Sequence, residues 1–215
     1  KKNNWQLTHI FNTHHHSDHT GANLELKKIF NCKIIGPKAD YKRIPGIDIL
    51  LKDQDEFEFG NEKVRVIDVP GHTRGHIAFY FPTSEVLFCG DTLFALGCGR
   101  VFEGTMEQMW NSLTKIALLP KKTKIYCAHE YTLANGNFAL TIEPNNEKLK
   151  FRMKKVIEKR KKGISTVPFT LAEELDTNPF LRPDSKEIQK NLSLVGSPLV
   201  DIFAETRNLK DNFSG

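Results

Sequence analysis

The 215-residue sequence predicts an α/β fold followed by a helical region, and two observations indicate this. Over roughly the first 130 residues, short apolar runs rich in β-branched residues alternate with segments of helical character, and such runs are typical of buried strands. Over roughly the last 80 residues, helical patterns dominate. A chain of this length can bury a full hydrophobic core, as one large domain or as one domain with a smaller partner.

Four predicted strands share one feature, because each leads directly to a histidine or an aspartate. The runs QLTHIFNT, KVRVIDV, EVLFCG and KIYCA are followed by His14, His72, Asp91 and His129. If these strands lie side by side and point the same way, their ends meet at one rim, where α/β proteins place functional sites. We therefore expect the four side chains to lie close together.

Two hairpins and two helices complete the predicted first part of the chain. DEFEFGNEKVRV predicts a hairpin that turns at Gly60 and Asn61, and HIAFYFPTSEVLF predicts one that turns at residues 82–85. A helix is expected to begin within TGANLELKKIF. The segment TMEQMWNSLTKIALL predicts another helix, opened by a capping box of Thr105 with Gln108.

After Glu143 the sequence predicts helices only. They are expected over residues 145–162, from near Thr170, over residues 184–192, and from Ser197 as N-cap with Pro198 in the first turn. The first of these holds nine basic residues and one acidic residue between Lys148 and Lys162. Such a run could form a nucleic-acid or membrane patch, but apolar residues at helical spacing within it favour an amphipathic helix packed on a core.

The composition is that of an ordinary globular protein, with 39% hydrophobic and 27% charged residues. No apolar run approaches the roughly 20 residues of a membrane span, and the first residues lack the apolar segment of a signal peptide. The four cysteines form no CxxC pair and are interpreted as reduced thiols. These observations predict a cytoplasmic protein that binds neither nucleic acid nor membranes. A monomer or weak dimer is expected, although the composition does not determine the oligomeric state.

The stretch THHHSDH concentrates metal-binding side chains. In an extended chain, residues two apart face the same way, so His14 and His16 can bind one ion while His15 points elsewhere. Asp18 and His19 follow where the chain turns into a helix, and they can reach a second ion. Together with the three donors at the other strand ends this makes seven, too many for one ion and suitable for two. Two isolated histidines, His9 and His76, are interpreted as packed or surface residues.

Beyond this stretch, the sequence resembles a known family. THHHSDH is the signature of the metallo-β-lactamase fold, and PGHTRGH, GDTLFALGCGRVFEGT, AHEYTLAN, IEPNN, NPFLR and TRNLKDNF resemble, in order, segments of the hydroxyacylglutathione hydrolases, or glyoxalase II. The resemblance implies a metallo-β-lactamase-like αββα sandwich over residues 1–132 and a helical substrate-binding domain over residues 133–215. Family members have further N-terminal strands before the signature, so the first sheet is expected to lack them here and metal binding to survive.

The resemblance also implies the roles of the site residues. His14, His16 and His72 would hold one divalent ion, while Asp18, His19 and His129 would hold a second and Asp91 would bridge both. Zinc is the preferred metal, with iron or manganese as alternatives. Arg100, Tyr131, Arg207 and Lys210 would bind glutathione, and the last two lie three residues apart on one predicted helix face. Phe102 stands where some members have a tyrosine.

The implied activity is hydrolysis of S-(2-hydroxyacyl)glutathione, typically S-D-lactoylglutathione, to a 2-hydroxy acid such as D-lactate and glutathione. A metal-bridged hydroxide would attack the thioester, with Asp18 and Asp91 as catalytic carboxylates, in the second step of methylglyoxal detoxification. Three alternatives remain at this point. They are a sulfur dioxygenase with a single iron that acts on glutathione persulfide, a metal-dependent nuclease that uses the basic run, and a non-catalytic metal-binding module.

Overall fold

The structure is a computed structural model that describes residues 3–214. Strands dominate the first part of the chain and helices the second. The strands in chain order are β1 (His9–Phe11), β2 (Lys33–Pro37), β3 (Ile49–Leu51), β4 (Glu56–Phe59), β5 (Glu62–Asp68), β6 (Ile77–Phe81), β7 (Val86–Gly90), β8 (Leu93–Phe94), β9 (Gly97–Cys98), β10 (Lys124–Cys127) and β11 (Phe169–Thr170).

The α-helices flank the sheets and form most of the second half. In chain order they are α1 (Ser17–Thr20), α2 (Asn23–Phe30), α3 (Met106–Ala117), α4 (Thr132–Ile142), α5 (Glu147–Lys161), α6 (Leu171–Thr177), α7 (Lys186–Asn191) and α8 (Leu199–Asp211). The predicted capping box of α3 is confirmed, because the Gln108 backbone N–H donates to the Thr105 hydroxyl and the Thr105 N–H donates to the Gln108 side chain. Both predicted hairpins turn where expected, between β4 and β5 and between β6 and β7.

Two large sheets form the frame of the protein, and β8 and β9 pair antiparallel in a small third sheet. The first is parallel, in the order β1-β2-β3, and the second follows the order β11-β10-β7-β6-β5-β4. Since β6 is antiparallel to both β5 and β7, and β7 is parallel to β10, the strands β5, β7 and β10 point the same way. The predicted common rim is therefore confirmed for these three, while β1 belongs to the other sheet.

The two sheets face each other across an apolar cluster. Ile35 and Leu51 of the first sheet pack with Val64, Ile77 and Phe79 of the second, and all five are buried. After β1 the chain crosses to the second sheet, where the Ile77 N–H donates to the Thr13 carbonyl at 2.9 Å. This crossing brings the residues after β1 to the rim at which β5, β7 and β10 end.

A larger apolar cluster joins the second sheet to the helices. It runs from Ile67 on β5 through Leu113 on α3 to Phe138 on α4, Phe180 and Phe203 on α8. Each of these side chains is buried, and a buried aromatic ring removes some 150–250 Å² from water. The helical region is thus packed on the sheet as part of one continuous core and is fixed relative to the rim.

The structure corrects two predictions for the second half. The expectation of helices only after Glu143 was wrong, because β11 pairs antiparallel with β10 and covers what would otherwise be a free sheet edge. Its two residues are too few to show a strand period before Thr170 becomes the N-cap of α6. The cap of α8 is Pro198 and not Ser197, since the Pro198 backbone is still extended and Leu199 is the first helical residue.

Two other expectations hold. The basic run forms α5, and its residues Leu149, Met153 and Val156 are buried, so the amphipathic interpretation is confirmed. All four cysteines are free thiols. Within residues 3–214, none of the helices combines the length and the apolar character that crossing a membrane requires.

Candidate metal centre

The loop after β1 and the short helix α1 carry four of the expected donors. The His16 backbone is extended, with ψ of 147°, and its carbonyl accepts the first N–H bond of α1 from His19 at 3.0 Å. The Asn12 side chain donates to the His19 carbonyl at 3.0 Å and accepts from the Asn23 side chain at 2.8 Å. These buried amide bonds fix the direction of α1, so that the side chains of Asp18 and His19 turn towards the rim.

The seven expected donors converge on that rim. Two groups have ligand atoms that all lie within 4.8 Å of one another: a first trio of His14, His16 and His72, and a second trio of Asp18, His19 and His129. His14, His19 and Asp91 form a third such group, which connects the two trios. The sequence prediction that distant strand ends bring these side chains together is confirmed.

Asp91 lies between the two trios. Its Oδ2 atom is 3.6 Å from Nε2 of His72 and 3.4 Å from Nε2 of His129, and its Oδ1 atom is 3.2 Å from Nε2 of His19. Within the second trio, the Oδ2 atom of Asp18 lies 3.4 Å from Nε2 of His19 and 3.4 Å from Nε2 of His129. Asp91 is therefore the carboxylate placed to serve both sides.

The donor set fits divalent cations. Among the described residues, Nε2 of His14 is buried without a hydrogen-bond partner, and the buried Nε2 of His19 and Oδ1 of Asp91, although 3.2 Å apart, make no well-aligned hydrogen bond. A buried polar atom left unpaired costs about 1–3 kcal/mol, and here three such atoms point into one space. Imidazole and carboxylate are the usual ligands of zinc and related metals, so a cation would satisfy all three.

The electrostatics of the cluster also favour metal binding. Burial, and then the surrounding histidines, hold the pKa of His14 far below its ordinary value, and burial lowers the pKa of His16 and of His72 as well. For His19 burial acts in the same direction, but the contact with Asp91 outweighs it and raises the pKa. Burial raises the pKa of Asp91, but the contact with His19 outweighs this and lowers it. The first trio is thus neutral at pH 7, which is the form that binds metals.

Neighbouring groups orient the donors. The Nδ1 atom of His72 lies 2.8 Å from the Arg100 carbonyl, so it carries the proton, and Nε2, which lies 3.1 Å from Nδ1 of His16, keeps the lone pair that could bind an ion. His76 is only 1% exposed, as predicted for a packed residue, and burial lowers its pKa to about 3. Its neutral ring stacks on His14 at 4.6 Å, and its Nε2 atom accepts the Asp91 backbone N–H at 3.2 Å. No sequence motif marked this contact with two donors.

A cavity of about 460 Å³ opens beside the donors and is lined by all four residues expected to bind glutathione. Tyr131 stacks on the ring of His129 at 4.9 Å, and Lys210 lies over two phenylalanine rings. Phe102 is 60% exposed, and its ring lies 5.2 Å from that of His72. The structure therefore gathers these residues, while their role in binding stays a prediction.

Arg207 has contacts that the sequence did not indicate. It is only 5% exposed, donates from Nη1 to the Cys98 carbonyl at 2.9 Å and pairs with Asp211 at 2.9 Å. Arg100 shares the same Asp211 carboxylate at 3.1 Å. Nε of Arg207 is buried without a partner among the described residues. The Arg207 guanidinium thus holds the pocket wall together through Cys98 and Asp211.

Comparisons with protein families cover the chain in two parts. The family model described as "Metallo-beta-lactamase superfamily" matches residues 1–129, and the one described as "Hydroxyacylglutathione hydrolase C-terminus" matches residues 130–213. Curated hydroxyacylglutathione hydrolases from Methylococcus capsulatus, Hyphomonas neptunium and Rhizobium etli are 57%, 52% and 51% identical to this chain. The alignments cover 97–99% of this chain and 82–83% of the relatives.

Solved structures share the fold at lower identity. The B3 metallo-beta-lactamase BLEG-1 has a TM-score of 0.62 with 22% identity, over 84% of this chain and 80% of that one. ETHE1 from Myxococcus xanthus has a TM-score of 0.62 with 24% identity, over 97% of this chain and 80% of that one. At such identities the likeness shows the fold alone, and it agrees with the two-sheet architecture described above.

Proposed function

The chain belongs to the hydroxyacylglutathione hydrolases of the metallo-β-lactamase superfamily, and we propose that it hydrolyses S-(2-hydroxyacyl)glutathione thioesters, with S-D-lactoylglutathione as the typical substrate. The observation that carries this proposal is the convergence of seven metal donors beside a cavity lined by cationic side chains. The products would be a 2-hydroxy acid and glutathione. The relatives that match nearly the whole chain carry this activity in their names, so the dioxygenase alternative is not favoured.

The donor set supports two divalent ions, with zinc preferred over iron or manganese. The first trio would hold one, the second trio the other, and Asp91 would contribute to both. Bound there, such ions supply a water that loses its proton near neutral pH and an electrophile for the thioester oxygen. Seven donors exceed the four that one tetrahedral zinc needs, which supports two ions over one.

The residues of the chain would then bind and orient the reactants. The side chain of Asp18 is 57% exposed and lines the cavity. There it can accept a hydrogen bond from the attacking water and so orient a lone pair of the water oxygen towards the carbonyl carbon. The leaving thiolate has a pKa of about 8.5 in its free form, so no protein acid is needed to protonate it. Asp18 and Asp91 are thus the proposed catalytic carboxylates.

The cavity supports recognition of an anionic substrate. Glutathione carries two carboxylates, and Arg100, Arg207 and Lys210 line the wall at one side of the donors. The guanidinium groups of Arg100 and Arg207 and the ammonium group of Lys210 are suited to carboxylates. Tyr131, stacked on His129, would place its ring along the thioester. We also propose that the protein is cytoplasmic, which the four free thiols support, and that it is a monomer or weak dimer.

The test is a metal analysis of the purified protein together with two assays. We expect two equivalents of metal per chain and hydrolysis of S-D-lactoylglutathione that stops when a chelator removes the metal. Oxygen consumption with glutathione persulfide is measured in parallel, and it should be absent. Two bound metals without turnover of any glutathione thioester would refute the proposal, and oxygen consumption would favour the dioxygenase.

A further inference from the structure

Behind the metal donors, away from the cavity, lies an ion-pair network of Asp40, Arg43 and Glu103, called the Arg43 network below. Arg43 donates to the Asp40 carboxylate at 2.5 and 3.2 Å and to the two oxygens of Glu103 at 2.5 and 3.0 Å. Asp40 is only 2% exposed. A guanidinium that binds two carboxylates through several bonds is held in one orientation, and so are its partners.

On one side, the Arg43 network contacts the loop that carries His14 and His16. His15 lies between His14 and His16 in sequence and belongs to neither trio. Its Nδ1 atom is 3.0 Å from Oδ2 of Asp40, and its Nε2 atom is 3.7 Å from Oε1 of Glu103. The ring that points away from the cavity is therefore anchored to both acids of the network, and this fixes the backbone that presents the two flanking imidazoles.

On the other side, the Arg43 network contacts the loop that carries His72. The Arg74 backbone N–H, two residues after His72, donates to Oε2 of Glu103 at 3.0 Å. The next residue, Gly75, packs so closely on Asp40 that a Cβ atom there would lie 2.6 Å from its Oδ1. Since no side chain beyond hydrogen fits, the backbone of this loop rests directly on the buried carboxylate.

We propose that Asp40, Arg43 and Glu103 are positioning residues that hold these two loops at a fixed separation and thereby set the affinity of the first trio for its metal ion. The inference rests on the metal centre of the proposed function. Groups that orient metal ligands without touching the ion commonly change metal affinity about 10–100-fold when they are replaced. The network contacts His15 and the Arg74–Gly75 backbone, whereas Asp18, His19 and His129 are carried by α1 and by the loop after β10. The effect should therefore fall on the first trio.

The experiment measures zinc affinity by competition with a chelator in two backgrounds. His129→Ala removes a ligand from the second trio, so the zinc affinity measured in this background is that of the first trio. His72→Ala removes a ligand from the first trio, so the measured affinity is that of the second. In the His129→Ala background we expect Arg43→Gln to weaken zinc binding about 10–100-fold. In the His72→Ala background the same change should leave the affinity unaltered within error.

A matched control separates positioning from general stability. Arg182 binds both oxygens of the buried Glu143 at 3.0 and 2.8 Å, in the helical half of the chain. Arg182→Gln therefore removes a similar ion pair, and it should lower the thermal midpoint of the metal-free protein without changing zinc affinity. Equal affinity losses in Arg43→Gln and Arg182→Gln, or equal losses in the two backgrounds, would overturn the proposal.

A second variant covers the case in which Arg43→Gln does not fold. Gly75→Ala leaves every charge in place but pushes on Asp40, and it should weaken zinc binding in the His129→Ala background only. Unchanged affinity in that variant would count against the network. Failure of the proposed function looks different, since a chain that binds zinc with these properties but hydrolyses no thioester would leave the positioning inference intact.

Discussion

The proposed role of Asp91 as the shared carboxylate leads to a quantitative prediction for Asp91→Asn. The carboxylate lies 3.2–3.6 Å from donors of both trios, so its charge acts on an ion held by either. Two unit charges about 4 Å apart interact by roughly 4 kcal/mol at an effective dielectric constant of 20, and the doubled charge of a divalent ion raises this value. Because 1.4 kcal/mol is a factor of ten, loss of the Asp91 charge should weaken the binding of each ion by at least about 10³-fold. The variant should retain neither ion after gel filtration.

The assay is metal content per chain, followed by titration of the metal-free protein with zinc. Asp68→Asn is the control, because it makes the same substitution at a partly buried carboxylate where β5 ends, outside the three donor groups. Asp68→Asn should bind two ions with wild-type affinity. If Asp91→Asn keeps one ion at wild-type affinity, the Asp91 carboxylate contributes to only one of the two ion sites, and the shared arrangement is wrong.

Three further predictions follow from the site. Removing the metal should lower the thermal midpoint seen by calorimetry, because a ligand at 100 times its Kd stabilises by about 2.7 kcal/mol; an unchanged midpoint would argue against ions in the folded core. Phe102→Tyr adds a hydroxyl beside the cavity and should lower KM by up to about tenfold, as one hydrogen bond is worth about 0.5–1.5 kcal/mol, with kcat unchanged in steady-state assays. The bond from Arg43 lowers the pKa of Glu103 to about 2 from 4.5, so its stabilisation is complete above pH 4.5 and is lost as the pH falls towards 2. In urea titrations of metal-free protein, Glu103→Gln should lose that part of the pH dependence, and an identical acid profile would contradict the assignment.

The convergence of the candidate metal donors could be predicted from the sequence because their signals are local. A strand period and the residue at its end are both visible in a window of about ten residues, and His14, His72, Asp91 and His129 each follow such a run. The spacing within THHHSDH indicated which side chains share a face. Direct neighbours in sequence thus carried most of the information about the site.

Other parts depended on contacts between distant residues. The helix α4 has buried residues on several sides, among them Asn135, Phe138 and Ile142, so it shows no amphipathic period. The strand β11 exists because β10 offers it an edge, and two residues cannot show a period. The partners of Arg207 lie on β9 and on its own helix, which made it resemble a free cation in the sequence.

The convergence of the donors with the cavity depends on one short segment, Cys98 to Arg100. A Cβ atom on Gly99 would overlap the Asp91 carbonyl and lie 3.3 Å from Nδ1 of His72, so this backbone rests against two metal donors. The Arg100 carbonyl accepts the His72 Nδ1–H, and the Cys98 carbonyl accepts from Arg207. Three consecutive residues thus contact a proposed metal ligand on one side and a proposed substrate-binding arginine on the other. The proposed metal centre and the wall of the cavity are therefore held by one backbone segment.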